Sequence, residues 1–135
     1  MGKARTKPQA KVSITFDTGA LIALERGSGK IVGLLQEIIA AGGEVHVPAG
    51  VAAQAWRGGA RQAVLARFFK AAEVAVEVLD LAMAQAAGEL CAATGTNDVV
   101  DASVVLTARQ HGDAIVTSDV GDLRKLDRSV VLERV

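Results

Sequence analysis

The stretch Ala93–Asp119, ATGTNDVVDASVVLTARQHGDAIVTSD, holds the pattern from which the fold is read. Val99–His111 has helical spacing, Gly112 is a natural helix stop, and Ala114–Thr117 (AIVT) is a short β-branched run. A helix that hands over to an apolar strand is one step of an alternating α/β chain, and the alternation extends in both directions. Strands are predicted at Val12–Phe16 (VSITF), Glu44–Val47 (EVHV), Val74–Leu79 (VAVEVL), Ala114–Thr117 and Val130–Glu133 (VVLE). Helices are predicted over Gly19–Glu25, Ile31–Ala41, Ala49–Trp56, Arg61–Ala72, Leu81–Ala93 and Val99–His111. Strands separated by helices imply a three-layer α/β/α fold: a central, mostly parallel sheet of four to five strands with helices on both faces.

A chain of 135 residues fits one domain, and half of its residues are apolar. Its apolar runs are broken by Gly, Glu or Gln well before the length of a membrane span. The single cysteine, Cys91, lies in an Ala-rich helical pattern, so a buried, unreactive thiol and a reducing, cytoplasmic setting are expected. Formal net charge is zero, yet residues 1–11 carry Lys3, Arg5, Lys7 and Lys11 and no acid. These residues are expected to form a solvated, disordered basic tail ahead of a domain over residues 12–135.

In an open parallel sheet, working residues gather beyond the carboxyl ends of the strands. Asp17 follows the first strand directly, and Asp119 follows AIVT with only Ser118 between. Asp98 and Asp101 open the helix that leads into that strand, spaced to share one helix face. Each acid also has a purely structural role open to it. Asp17 fits a helix cap, Asp98 with Asp101 resembles a capping box, and Asp119 fits a turn or cap. Independent caps need not share one sheet edge, however, and like charges about 4 Å apart repel by about 4 kcal/mol at an effective dielectric near 20. Converging carboxylates therefore call for a cation, and an all-oxygen donor set favours Mg²⁺ or Mn²⁺. Such ions suit phosphodiester hydrolysis. Two other phosphate chemistries fit poorly. A dehalogenase-type phosphatase needs a second Asp where Gly19 stands, and DTGALIAL lacks the Gly-rich turn of a dinucleotide-binding fold.

The blocks ITFDTGALIALERG, VPAGVAAQAWRGG, DASVVLTARQHGDAIVTSD and DLRKL occur in this order along nearly all of the chain. In this series the sequence resembles the PIN domains, close to the VapC toxins of VapBC toxin–antitoxin pairs. The resemblance implies a Mg²⁺- or Mn²⁺-dependent ribonuclease acting on RNA, with a VapB-type antitoxin and a homodimer. It also implies that Asp17 is the first acidic ligand, Asp101 the acid heading the long helix and Asp119 the acid after the fourth strand, with Thr117 supporting the last. Gln54 stands where the family usually has Glu, and no acid lies between Glu44 and Glu73. A Gln supplies no charge and no base at neutral pH. Asp98 is the available substitute; the other outcome is a weak or inactive PIN-like module that binds RNA or a protein.

The remaining residues carry less. Thr18, beside Asp17, is expected to support the site or cap the following helix. Arg57 and Arg61, with Arg67 and Lys70, could contact RNA phosphates, although a solvated helix face explains them as well. Trp56, Phe68 and Phe69 fit core or interface positions. His46 and His111 lack metal-ligand spacing and are expected to be structural; Glu25 is expected at the surface, and Asp122 as a helix cap.

Overall fold

The computed structural model describes residues 12–135; the basic segment of residues 1–11 lies outside the described residues. Five strands form one sheet in the order β3-β2-β1-β4-β5: β1 (Ser13–Phe16), β2 (Glu44–Pro48), β3 (Val74–Glu77), β4 (Ala114–Thr117) and β5 (Leu132–Arg134). Every neighbouring pair is parallel. The helices are α1 (Thr18–Glu25), α2 (Gly29–Ala40), α3 (Ala49–Ala55), α4 (Ala63–Lys70), α5 (Leu81–Thr94), α6 (Val99–His111) and α7 (Val120–Leu126), with a 3-10 turn at Ala60–Gln62. Helices α1 to α4 pack with one another beside the β1-β2-β3 half, while α5, α6 and α7 form the opposite layer. The expected α/β/α architecture is thus the observed one.

Strand order reverses between β1 and β4, because the chain moves from β1 to β2 to β3 in one direction and then returns across the sheet to β4. The burial of the central strands explains their composition. Ile14, Phe16, Val45, Val47, Ile115 and Val116 are all buried, with helices covering both faces of the sheet. Phe16 stacks on Phe68 of α4 with centroids 5.6 Å apart, which locks α4 onto β1. Cys91 is buried on α5, as expected.

Some expected boundaries move, for physical reasons. The third strand ends at Glu77 rather than Leu79, because its partner β2 ends at Pro48, which pairs with Glu77. Val78 and Leu79 then have no strand to pair with and lie exposed. The helix expected from Arg61 begins as the 3-10 turn and becomes α-helical only at Ala63. Helix α7 is an addition: Asp119 caps it and Leu123 and Leu126 anchor it in the core, although its seven residues are too few to show a clear period.

Entry to β2 depends on a close approach. A Cβ on Gly43 would stand 2.1 Å from the Val12 carbonyl oxygen and 3.0 Å from Ile38 Cγ2. Gly43→Ala is expected to destabilise the domain by about 1–3 kcal/mol, the usual scale for overpacking, as measured by urea unfolding.

Candidate active site

The carboxyl ends of β1 and β4, adjacent strands at the reversal point, place Asp17 and Asp119 side by side. Asp17 is the N-cap of α1: its Oδ1 accepts from the Ala20 N–H at 2.9 Å, and its own N–H donates to the Val116 carbonyl at 3.2 Å. Asp119 caps α7, accepting from the Asp122 N–H at 3.3 Å, and its own N–H donates to Thr117 Oγ1 at 2.9 Å. Asp98 caps α6 by accepting from the Asp101 N–H at 3.0 Å. Capping and convergence are therefore properties of the same residues. Three helix N-termini point at one sheet edge, and a carboxylate sits at each.

The electrostatics follow from this placement. The Asp17 carboxyl is pushed up by burial and by the Asp119 charge, against hydrogen bonds from Thr117, Ala20 and Gly19 that hold it down. Burial raises Asp101 to about 7, helped by the charges of Asp98, Asp17 and Asp122. A polar cleft of about 350 Å³ runs alongside, lined by Asn97, Asp98, Asp101, Asp122 and Lys125 among others. The sequence-based expectation of Asp122 as a cap is corrected: Asp119 is the cap, and Asp122 occupies the first turn of α7 with its side chain half exposed, 3.6 Å from Lys125. Its approach to Asp101 depends on α7, which the sequence did not reveal.

Gln54 lies on α3 with its Oε1 accepting from Thr18 Oγ1 at 2.5 Å, so both residues stand beside the start of α1 and its capping Asp17. Arg57 and Arg61 sit elsewhere. The Arg57 guanidinium donates to the Ala53 and Trp56 carbonyls, where it closes the end of α3. The segment after it is fastened by Gln62, which accepts from the Arg57 and Gly58 N–H groups and donates to Ala55 O and to Glu25 at the far end of α1. Helix α1 carries that point about 12 Å from its capping end. Trp56 is partly exposed and meets Phe69 edge-on at 6.2 Å.

The PIN domain family model matches residues 14–129. The chain belongs to the PIN-domain family. No curated protein matches it by sequence. Among solved structures it is similar to VapBC2 from Rickettsia felis bound to a DNA fragment from its promoter, with a TM-score of 0.68 and 14% identity over 92% of this chain and 99% of that one. It is also similar to FitAcB from Neisseria gonorrhoeae, with a TM-score of 0.59 and 19% identity over 88% of this chain and 95% of that one. At such identities the likeness speaks for the fold. PIN domains are in general nucleases and typically use divalent metal.

The raised acids give a signed pH dependence. Folded Asp101 keeps its proton up to about 7, well above the ordinary aspartate range, so with chelator present its contribution to stability is greatest at low pH and is lost as pH rises through about 7. Asp101→Asn removes the effect. The variant should match wild type in melting temperature near pH 4 and exceed it at pH 8, a comparison that calorimetric melts in EDTA make directly.

Proposed function

We propose that this PIN domain is a divalent-metal-dependent endoribonuclease that serves as the toxin of a VapBC-type toxin–antitoxin pair. The observation that carries the reading is the meeting of Asp17, Asp101 and Asp119 at the reversal point, with Asp17 and Asp101 each raised by burial and, after it, by the charge of neighbouring acids. Oxygen donors whose mutual repulsion goes uncompensated fit a hard cation such as Mg²⁺ or Mn²⁺. Asp17, Asp101 and Asp119 would hold it, with Asp98 as a further carboxylate on the same helix start. When bound, the ion supplies Lewis-acid activation of water and neutralisation of the leaving oxygen.

The chain's own residues do the rest. Thr117, through the Asp119 N–H, fixes the turn that presents Asp119. Backbone caps hold Asp17 and Asp98 in place, so neither carboxylate is free to swing away from the cluster. Gln54 and Thr18 offer neutral oxygens beside the acids, able to orient water or a ribose hydroxyl but not to take a proton. Arg57 and Arg61 would contribute phosphate contacts only to an RNA long enough to run along α1.

An antitoxin and a second copy of the chain are the proposed partners. The similar VapBC2 structure is bound to a DNA fragment from its promoter. This chain leaves Trp56, Val76, Val78, Leu79 and Leu81 exposed around β3, more open apolar surface than an isolated small domain needs. One observation favours a second reading, a binding-only PIN module: the family's usual Glu is Gln54 here.

Purified protein is expected to cleave RNA with Mg²⁺ or Mn²⁺ and not with EDTA, and Asp17→Asn or Asp119→Asn should lower the rate by at least about a hundredfold. RNA binding that is indifferent to chelator, with no cleavage, would establish the second reading instead. The replaced acid has its own test in the Mn²⁺ dissociation constant, measured by calorimetry. If Asp98 replaces the missing Glu, Asp98→Asn weakens binding much as Asp101→Asn does, and Gln54→Glu adds little. If Asp98 is a cap alone, Asn serves equally well and only Asp101→Asn and Gln54→Glu move the constant.

A further inference from the structure

The far end of α6 holds a second cluster that the nuclease reading does not use. His46 of β2 and His111 of α6, expected from their spacing to be unrelated, stack with centroids 3.7 Å apart. His46 is almost fully buried, and its Nδ1 lies 2.6 Å from Oδ2 of the fully buried Asp113. Asp113 also accepts from Thr15 Oγ1 at 2.8 Å and from Ser13 Oγ. His111 Nε2 lies 2.6 Å from Oε1 of Glu77 at the end of β3, both side chains being about a quarter exposed. Glu44 Oε2 stands 3.4 Å from His46 Nε2. Ligand atoms of His46, Glu77 and His111 all fall within 4.8 Å of one another.

We propose that His46, Glu77 and His111 form a second divalent-cation site, for a late first-row transition ion such as Zn²⁺, separate from the carboxylate edge. The rise along α6 from Asp101 to His111 is about 15 Å, so the two sites lie at opposite ends of one helix. Two imidazoles with a carboxylate are a donor set for zinc-type ions, whereas the all-oxygen edge suits magnesium. The supporting contact is already built. A carboxylate only accepts, so Asp113 holds a proton on His46 Nδ1 and leaves Nε2 facing Glu44 and the cluster, where a cation takes the place of a proton shared with Glu44. Metal-bound histidines are commonly held in this way, through a carboxylate on the other ring nitrogen.

Charge argues the same way. Asp113, Glu44 and Glu77 bring three carboxylates to two imidazoles, and among the described residues each of their ion pairs is with a histidine. A dication at Nε2 places a fixed double positive charge among these three carboxylates. The present ring geometry sets a condition. With planes only 13° apart, the two in-plane lone pairs do not meet at one point, so ion binding must turn one ring. His111 is the ring that turns, since it is part-exposed on the last turn of α6, whereas His46 is fixed by Asp113. Glu44 or water completes the coordination. The bound ion would tie edge strand β3 to β2 and α6.

Zinc titration of the full chain by calorimetry, with excess Mg²⁺ present to occupy the carboxylate edge, tests the site. One Zn²⁺ per chain is expected, with affinity at least about tenfold weaker in both His111→Ala and Glu77→Gln and unchanged in Asp101→Asn. Equal affinity in wild type and His111→Ala, or loss only in Asp101→Asn, overturns the proposal. Ring ¹⁵N resonances of the wild-type protein give a readout that does not depend on any variant folding. Zn²⁺ should shift His46 Nε2 and remove the signature of the stacked pair, and unchanged histidine resonances at saturating Zn²⁺ overturn it equally.

Discussion

Repulsion among carboxylates gathered at three helix N-termini sets the chemistry of one edge of this sheet. Each of Asp17, Asp98 and Asp119 accepts a backbone N–H at the start of a helix, and α1, α6 and α7 all begin at one edge of the sheet. A helix N-terminus favours a nearby anion by about 0.3–1 kcal/mol. A pair of like charges brought to about 4 Å costs about 4 kcal/mol at an effective dielectric near 20. Capping therefore fixes where the acids stand without offsetting their mutual cost. Part of that cost is met by the proton that burial and neighbouring charge keep on Asp101 up to about 7. A cation that displaces the proton would meet more of it, which couples ion binding to proton release.

Asp17 and Asp119 were legible in the sequence because each follows a short β-branched run within two residues, and a parallel sheet sends such residues to its carboxyl edge. What the sequence could not supply was the strand order. Whether Asp17 and Asp119 are neighbours depends on β1 pairing with β4, and that follows only from the reversal after β3. Capping and placement at one edge prove compatible, since Asp17, Asp98 and Asp119 each cap a helix that begins there. Asp122 was misjudged because α7, with Gly121 inside a seven-residue helix, shows no periodicity to reveal it.

The histidines show where sequence reading stops. His46 and His111 come from a central strand and from the end of a distant helix, and no local spacing relates them. Their contact is a product of α6 lying across β1 and β2. The same helix thus carries an acid-rich start, where hard oxygen donors meet, and an imidazole-bearing end over a buried carboxylate. Overpredicting β3 had the opposite cause: VAVEVL is a uniform β-branched signal, and only the end of its partner strand at Pro48 limits the pairing.

The central claim, that the carboxylate edge exists to hold a divalent ion, is tested most directly by anomalous diffraction from crystals of the chain grown with Mn²⁺. The account predicts a manganese peak within coordination distance of carboxylate oxygens from Asp17, Asp101 and Asp119. A well-ordered structure at high Mn²⁺ concentration with those three side chains in place and no peak between them would contradict it.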